Sequence, residues 1–131
     1  MSACAGTPDL QPLDETLALC DAPSCVTSQM PGTDYYIAPI TYPGDPNAAR
    51  LALLKLIREM PTAEIENSRI DYIHVKFTTP TMRYVDDLEL RFAKEERVIH
   101  VRSSARFGFY DLAENRKRVE WLRAQFEAIQ P

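Results

Sequence analysis

Three stretches of this chain alternate apolar and polar residues with a period of two, the mark of a half-buried β-strand. In "IDYIHVKFTT" the apolar positions are Ile73, Val75 and Phe77, with Tyr72, His74, Lys76 and Thr78 between them. In "YVDDLELRF" Leu88, Leu90 and Phe92 share one face, and Asp87, Glu89 and Arg91 the other. In "RVIHVRSSAR" Ile99, Val101, Ser103 and Ala105 oppose His100, Arg102, Ser104 and Arg106. The last two are joined through "KEER", so they are expected to form a hairpin. A one-residue slip would invert every side chain, so only an odd sum of paired residue numbers keeps both apolar faces together. A loop centred on Glu95–Glu96 sets Phe92 opposite Ile99 and Leu90 opposite Val101. The same register places Glu89 against Arg102 and Asp87 beside Ser104, which are complementary cross-strand pairs.

Two other stretches carry helical spacing. In "GDPNAARLALLKLIREMP" Asp45 stands at the cap, Pro46 at the first helical position and Pro61 just past the end. Ala49, Leu53, Leu56, Ile57 and Met60 make the apolar stripe. After Gly108, Asp111 is expected to cap a final helix, and Glu114 to complete a capping-box-like pair. Its stripe of Leu112, Asn115, Val119, Leu122, Phe126 and Ile129 is apolar except at Asn115. "YYIAPITY" (35–42) reads as a strand, and a short strand around Glu64–Asn67 precedes a turn at Asn67–Ser68. Residues 5–34, with four prolines and two glycines, read as tether and irregular lead-in. The order β-α-β-β-β-β-α predicts an α+β domain: an antiparallel sheet of four to five strands with two helices packed on one face. Residues 1–19 are assigned to the tether and 20–131 to a single domain.

Composition narrows the function. A chain of 131 residues, 45% hydrophobic and 26% charged, can bury a core without a metal or a dense disulfide framework. A net charge of −4 and a pI near 5.2 count against nucleic acid or an anionic membrane surface as the main partner. No apolar run approaches the roughly 18 residues of a membrane span, and a complete secretory signal is not expected within this stretch. Three cysteines change the picture. Cys20 and Cys25 are close enough to bridge a short turn, a closure worth about 2 kcal/mol or less; two thiols in a cytosolic protein are the other reading. Ser2-Ala3-Cys4 resembles the last residues of a bacterial lipoprotein signal, in which a small pair precedes the cysteine that is lipidated. On that reading an apolar signal precedes Ser2, Cys4 carries the lipid, and the polar stretch after it is the tether.

The candidate chemistry lies where polar residues break apolar faces. Asp86 shares its strand face with Leu88, Leu90 and Phe92, and Asn115 shares its helix face with Leu112 and Val119. A buried carboxylate is costly unless paired and hydrogen-bonded. Arg106 or Arg116 is expected to supply the charge and Ser103 or Asn115 the hydrogen bonds, as a structural lock rather than a working site. Asp86 and Asp87 face opposite sides of the sheet and cannot act on one substrate atom unless a bulge reorients one. Asp87 and Glu89 lie near enough to Arg102 and Arg91 to be neutralised. His74 and His100 lack zinc-type spacing and are expected to be ordinary exposed histidines, so no metal and no cofactor are expected. The basic run "NRKR" reads as a solvated helix face paired through Glu114–Arg118, Arg116–Glu120 and Arg123–Glu127. A serine nucleophile elbow and the phosphate- and dinucleotide-binding motifs are absent from the sequence.

"APSCVTSQ", "YVDDLEL" and "VRSSARFGFYDLAENRKRVEWL" together resemble the family called domain of unknown function 1499, over roughly Leu19 to Phe126. Its members occur in bacteria, often as envelope lipoproteins, and in plant plastids. The family pattern falls on Cys25, Asp86, Asp87, Glu89, Arg102, Ser103, Arg106, Gly108, Asp111, Asn115 and Arg116. Ala105 stands where the family usually has serine, Ala113 where it usually has glycine, and Ser24 where asparagine is common. The resemblance implies no activity, and it supports the lipoprotein reading of Cys4. The leading expectation is a monomeric, non-enzymatic binding or structural module of the bacterial envelope, facing the periplasm and binding a protein or small ligand. A cytoplasmic location is the alternative. The second expectation is a hydrolase-like enzyme at the rim of the seam, with Asp86 as acid or base, Asn115 orienting, and Arg106 or Arg116 as anion clamp. It needs an open pocket around Asp86. The third, a carrier of a small apolar ligand, needs a cavity between helix and sheet.

Overall fold

The computed structural model describes residues 16–81, 83–107 and 113–130; the lipidation expected at Cys4 and the cap expected at Asp111 fall outside them. Along the chain run β1 (Val26–Thr27), β2 (Ile40–Thr41), α1 (Pro46–Arg58), β3 (Glu64–Arg69), β4 (Tyr72–Thr78), β5 (Val85–Phe92), β6 (Val98–Ala105) and α2 (Glu114–Ala128). The fold is α+β, as the alternation predicts. One antiparallel sheet has the order β1-β6-β5-β4-β3, and β2 also pairs with β6. The short strands β1 and β2 divide one edge between them. Val26 lies opposite Ser103, and Ile40 lies opposite Ile99. The strand expected over 35–42 thus shrinks to β2, and "CVTS" supplies an edge strand within the expected irregular lead-in. The opposite edge, β3, is short, bulged between Ile65 and Asn67, and rich in polar residues, which blunts it against further pairing. The turn into β4 falls at Ile70–Asp71, because Arg69 pairs with Tyr72.

The β5–β6 hairpin has the expected register: Phe92 opposite Ile99, Leu90 opposite Val101, Glu89 opposite Arg102 and Asp87 opposite Ser104. On β4, Ile73 faces Leu90 and Val75 faces Leu88. Apolar residues of three central strands therefore form one continuous face. Both helices pack there, giving a core that includes Leu53 and Ile57 of α1 and Val119, Leu122 and Phe126 of α2, all fully buried. Asp45 caps α1 by accepting a hydrogen bond from the Ala48 amide at 3.0 Å, with Pro46 at the start. α2 begins differently: its N-cap is Ala113, in the left-handed region at φ 63°, without a side-chain cap hydrogen bond.

Candidate functional site

Ser103 is the polar member of a row that runs Val75, Leu88, Ser103, Val26 across the sheet. A hydroxyl in that row requires a partner from the helix above, and Asn115 provides it. The Ser103 hydroxyl donates to Asn115 Oδ1 at 2.5 Å, and Asn115 Nδ2 donates to the Ser24 carbonyl at 3.0 Å. Both side chains are fully buried. Ser24 is presented by the turn that Cys20 and Cys25 close, with Cα atoms 5.5 Å apart at disulfide distance. Arg118 joins this group to Asp86: its Nη1 donates to Asp86 Oδ2 at 2.9 Å and to Asn115 Oδ1 at 3.2 Å. The guanidinium also lies 4.3 Å from the centroid of Phe77. Carboxylate and amide therefore meet through an arginine.

That arginine is neither of the two expected. Arg106 has the parity of the opposite sheet face and binds Asp87 there. Arg116 lies off the buried stripe and donates to the carbonyls of Tyr36 and Asp34. Arg118 follows Asn115 by three residues, so helical spacing places it beside Asn115; that was the available signal. The expected self-pairing of the helix also fails. Glu114 stands near Lys117 and Glu120 near Arg123, both three residues apart. Arg123 further donates to the carbonyls of Pro39 and Ala38. The basic side chains at 116, 118 and 123 thus fasten α2 to β5 and the 34–39 segment instead of forming a solvated face.

The sheet face away from the helices carries a second polar layer. Asp87 accepts from Arg106 Nε at 2.8 Å and Nη2 at 2.9 Å, and bonds His74 Nε2 at 2.7 Å. Glu89 accepts from the Tyr72 hydroxyl at 2.6 Å and faces Arg102 at 3.7 Å. Arg91 reaches Asp71 at 3.2 Å and stacks 4.7 Å from the Tyr72 ring centroid. His74 is 4% exposed, which corrects the expectation of an exposed histidine. His100, part-buried, meets the Ser28 hydroxyl through Nδ1 at 3.0 Å. The alternation fixes which residues share this face, but it does not show that long side chains lying flat can bury one another. The lead-in contributes too: Leu17 is buried outside the main core, and Arg102 Nη2 donates to the Leu19 carbonyl.

The two acids on this face are displaced in opposite directions. Burial pushes the Asp87 carboxyl up, but hydrogen bonds from His74 and Arg106 overcome it and hold the group below its ordinary range. Burial also pushes Glu89 up, and the Tyr72 hydroxyl and Arg102 only partly offset it, so its carboxyl titrates above the usual value. Glu89 Oε1 and Arg102 Nε, both buried, make no hydrogen bond. Tyr72, buried against Glu89, is pushed far up and stays a hydrogen-bond donor.

Of the residues singled out from sequence, Asp86, Ser103 and Asn115 meet at the seam, while Asp87, Glu89, Arg102 and Arg106 meet on the other face. Arg116 joins neither layer, and Asp111 lies outside the described residues. The sequence reading missed Arg118, the Ser24 carbonyl, Tyr72 and His74. Among the described residues no cluster of metal-ligating groups occurs, and no helix is long and apolar enough to cross a membrane. A cleft of 370 Å³ opens between Met60 at the end of α1, Phe77 of β4, and Glu114, Lys117, Arg118 and Trp121 of α2. Asp86 is not part of its lining.

An α+β domain with a polar layer on each side of one sheet is the class defined by this geometry. The chain belongs to the family described as protein of unknown function (DUF1499), whose model matches residues 16–126. Neither the curated proteins nor the solved structures give a match.

Proposed function

We propose that this domain is a non-enzymatic binding module of a bacterial envelope, held at the membrane by a lipid on Cys4 and facing the periplasm. The observation that carries the non-enzymatic reading is the state of Asp86. Its side chain is 6% exposed, ion-paired with Arg118 and turned into the seam, so it does not reach the accessible cleft as an acid or base must. The fully buried facing side chains of Leu88, Leu90, Val101, Val119, Leu122 and Phe126 likewise support binding at the surface over carriage between helix and sheet. Cys20 and Cys25 at disulfide distance suit an oxidising compartment, and Ser2-Ala3-Cys4 suits lipidation.

The test is fractionation of the protein expressed in a bacterial host behind a lipoprotein signal, with its own residues from Ser2 onward. Membrane association that Cys4→Ser abolishes, with Cys20 and Cys25 unreactive to maleimide until reduced, is the expected result. Protein that stays soluble with both thiols open to alkylation would place it in the cytoplasm.

A further inference from the structure

We propose that the cleft beside Trp121 is a binding site for a small organic monoacid with a flat apolar body, its carboxylate seated on Arg118. The inference rests on the binding-module reading and adds a ligand class to it. Phe77, Met60 and Trp121 give the cleft apolar walls, and 370 Å³ falls within the roughly 300–1,000 Å³ of small-molecule sites. Trp121 is 44% exposed on a helix whose stripe of Val119, Leu122 and Phe126 is fully buried. An incoming flat body would cover that indole.

The fixed polar group is Arg118. Its hydrogen bonds all run through Nη1, to Asp86 and Asn115, and the guanidinium lies over Phe77. The Nε–Nη2 edge is thereby held rigid, and two parallel N–H groups fit a carboxylate bidentately. Charge limits what can bind. Asp86 already neutralises Arg118 from the seam side, and Glu114 stands 4.0 Å from Lys117 at the mouth. That mouth pair is exposed and holds Lys117 only weakly, so its ammonium can turn to a bound carboxylate. With one acid already on Arg118 and another beside Lys117, the net charge around the cleft is near zero, so a single carboxylate is held by directed N–H bonds and a multiply charged anion such as phosphate is disfavoured.

Trp121 is the single tryptophan of the chain, so its emission reports this site alone. The full chain is titrated at pH 7 with phenylacetate, with its neutral counterpart 2-phenylethanol, and with inorganic phosphate. The expected result is a saturable change with phenylacetate, binding at least about tenfold weaker for 2-phenylethanol, and no change with phosphate. Lys117→Glu, at an exposed position, is expected to melt like the parent while binding phenylacetate several-fold more weakly. Equal affinity for phenylacetate and 2-phenylethanol overturns the acid class. A response to phosphate overturns the apolar body. Silence towards all three in a folded protein, or unchanged phenylacetate affinity in Lys117→Glu, overturns the site. None of these results touches the Cys4→Ser fractionation, which judges the tether separately.

Discussion

On the helix side of the sheet, the Asp86–Arg118 ion pair is embedded among uncharged hydrogen-bonding groups from Ser103, Asn115 and Ser24. On the opposite side, Asp87, Glu89, Arg91, Arg102 and Arg106 meet with His74 and Tyr72, and buried polar atoms such as Glu89 Oε1 and Arg102 Nε lack a hydrogen bond. The seam joins three separate parts of the chain through short, directed bonds. The far layer instead packs ionic and aromatic side chains of neighbouring strands over one another. Directed bonds set where α2 sits on the sheet, whereas the charge layer tolerates imperfect matching because each ion has neighbours of opposite sign. The seam should therefore respond to loss of geometry, and the far layer according to how fully each charge is compensated, with Asp87 and Glu89 at opposite extremes.

Asp87→Ala should give the largest effect. It leaves His74 buried without its carboxylate and takes from Arg106, 7% exposed at the side chain, the acceptor of both its Nε and Nη2 hydrogen bonds. Breaking a buried pair from one side costs about 3–5 kcal/mol, to be read as the shift in a urea midpoint. Acid should reproduce part of this loss. Asp87 is held below its ordinary value of 3.8, so its stabilisation is complete above that value and is lost as pH falls through the lower folded one. Glu89 acts in the opposite sense, because a carboxyl raised above 4.5 in the fold costs stability as pH rises through its folded value. Melting temperature against pH should therefore peak in the mildly acidic range and fall below about pH 4. An Asp87→Asn protein that keeps the same fall at low pH would remove Asp87 as its cause.

Asn115→Ala probes the other layer. It strips the partner from the buried Ser103 hydroxyl and the Ser24 carbonyl, and should cost about 1–3 kcal/mol, as should Asp86→Ala. Because Arg118 links the two groups, the double variant should lose less than the sum of the singles. Strict additivity in a chemical-denaturation cycle would show that the bridge contributes nothing. A smaller effect of opposite sign is expected at Ala113. This residue caps α2 at φ 63°, a conformation that costs an alanine about 1 kcal/mol or more and a glycine little. Ala113→Gly should stabilise by about 0.5–1 kcal/mol, and unchanged melting would mean that the cap frays before the domain unfolds.

The strictly alternating strands were readable to the residue. A two-residue period with one buried face leaves a single acceptable register, and Phe92–Ile99 and Glu89–Arg102 follow from it. Asp86 and Asn115 were also legible as polar interruptions of apolar stripes. The partner of Asp86 was not. Strand parity puts Arg106 on the other face and the three-residue step from Asn115 favours Arg118 over Arg116, but only the placement of α2 across β5 and β6 brings Arg118 to Asp86. Burial of His74 and Tyr72 was hidden for a related reason. Alternation says which way a side chain points, and whether long neighbours then lie over it is a tertiary matter. Ala113, which stands where the family usually carries glycine, occupies the left-handed region, a conformation the strand and helix periodicities do not signal.

Glu89→Gln should have the smallest effect, and its sign separates two accounts of the far layer. If attraction between ions holds these strands together, removing the charge opposite Arg102 should weaken them. The 3.7 Å separation and the unbonded Oε1 argue otherwise. Burial pushes the Glu89 carboxyl up despite Tyr72 and Arg102, so its charged form is less favourable in the fold than in water. The neutral amide still accepts the Tyr72 hydroxyl and occupies the same volume. At pH 7 the variant should match the parent or exceed it by up to about 1 kcal/mol, and the difference should vanish in mild acid, where the parent's own carboxyl is protonated. A loss at pH 7 would mean that the Arg102 pair outweighs the desolvation of Glu89, and that attraction across the hairpin, not mutual coverage, holds this face of the sheet.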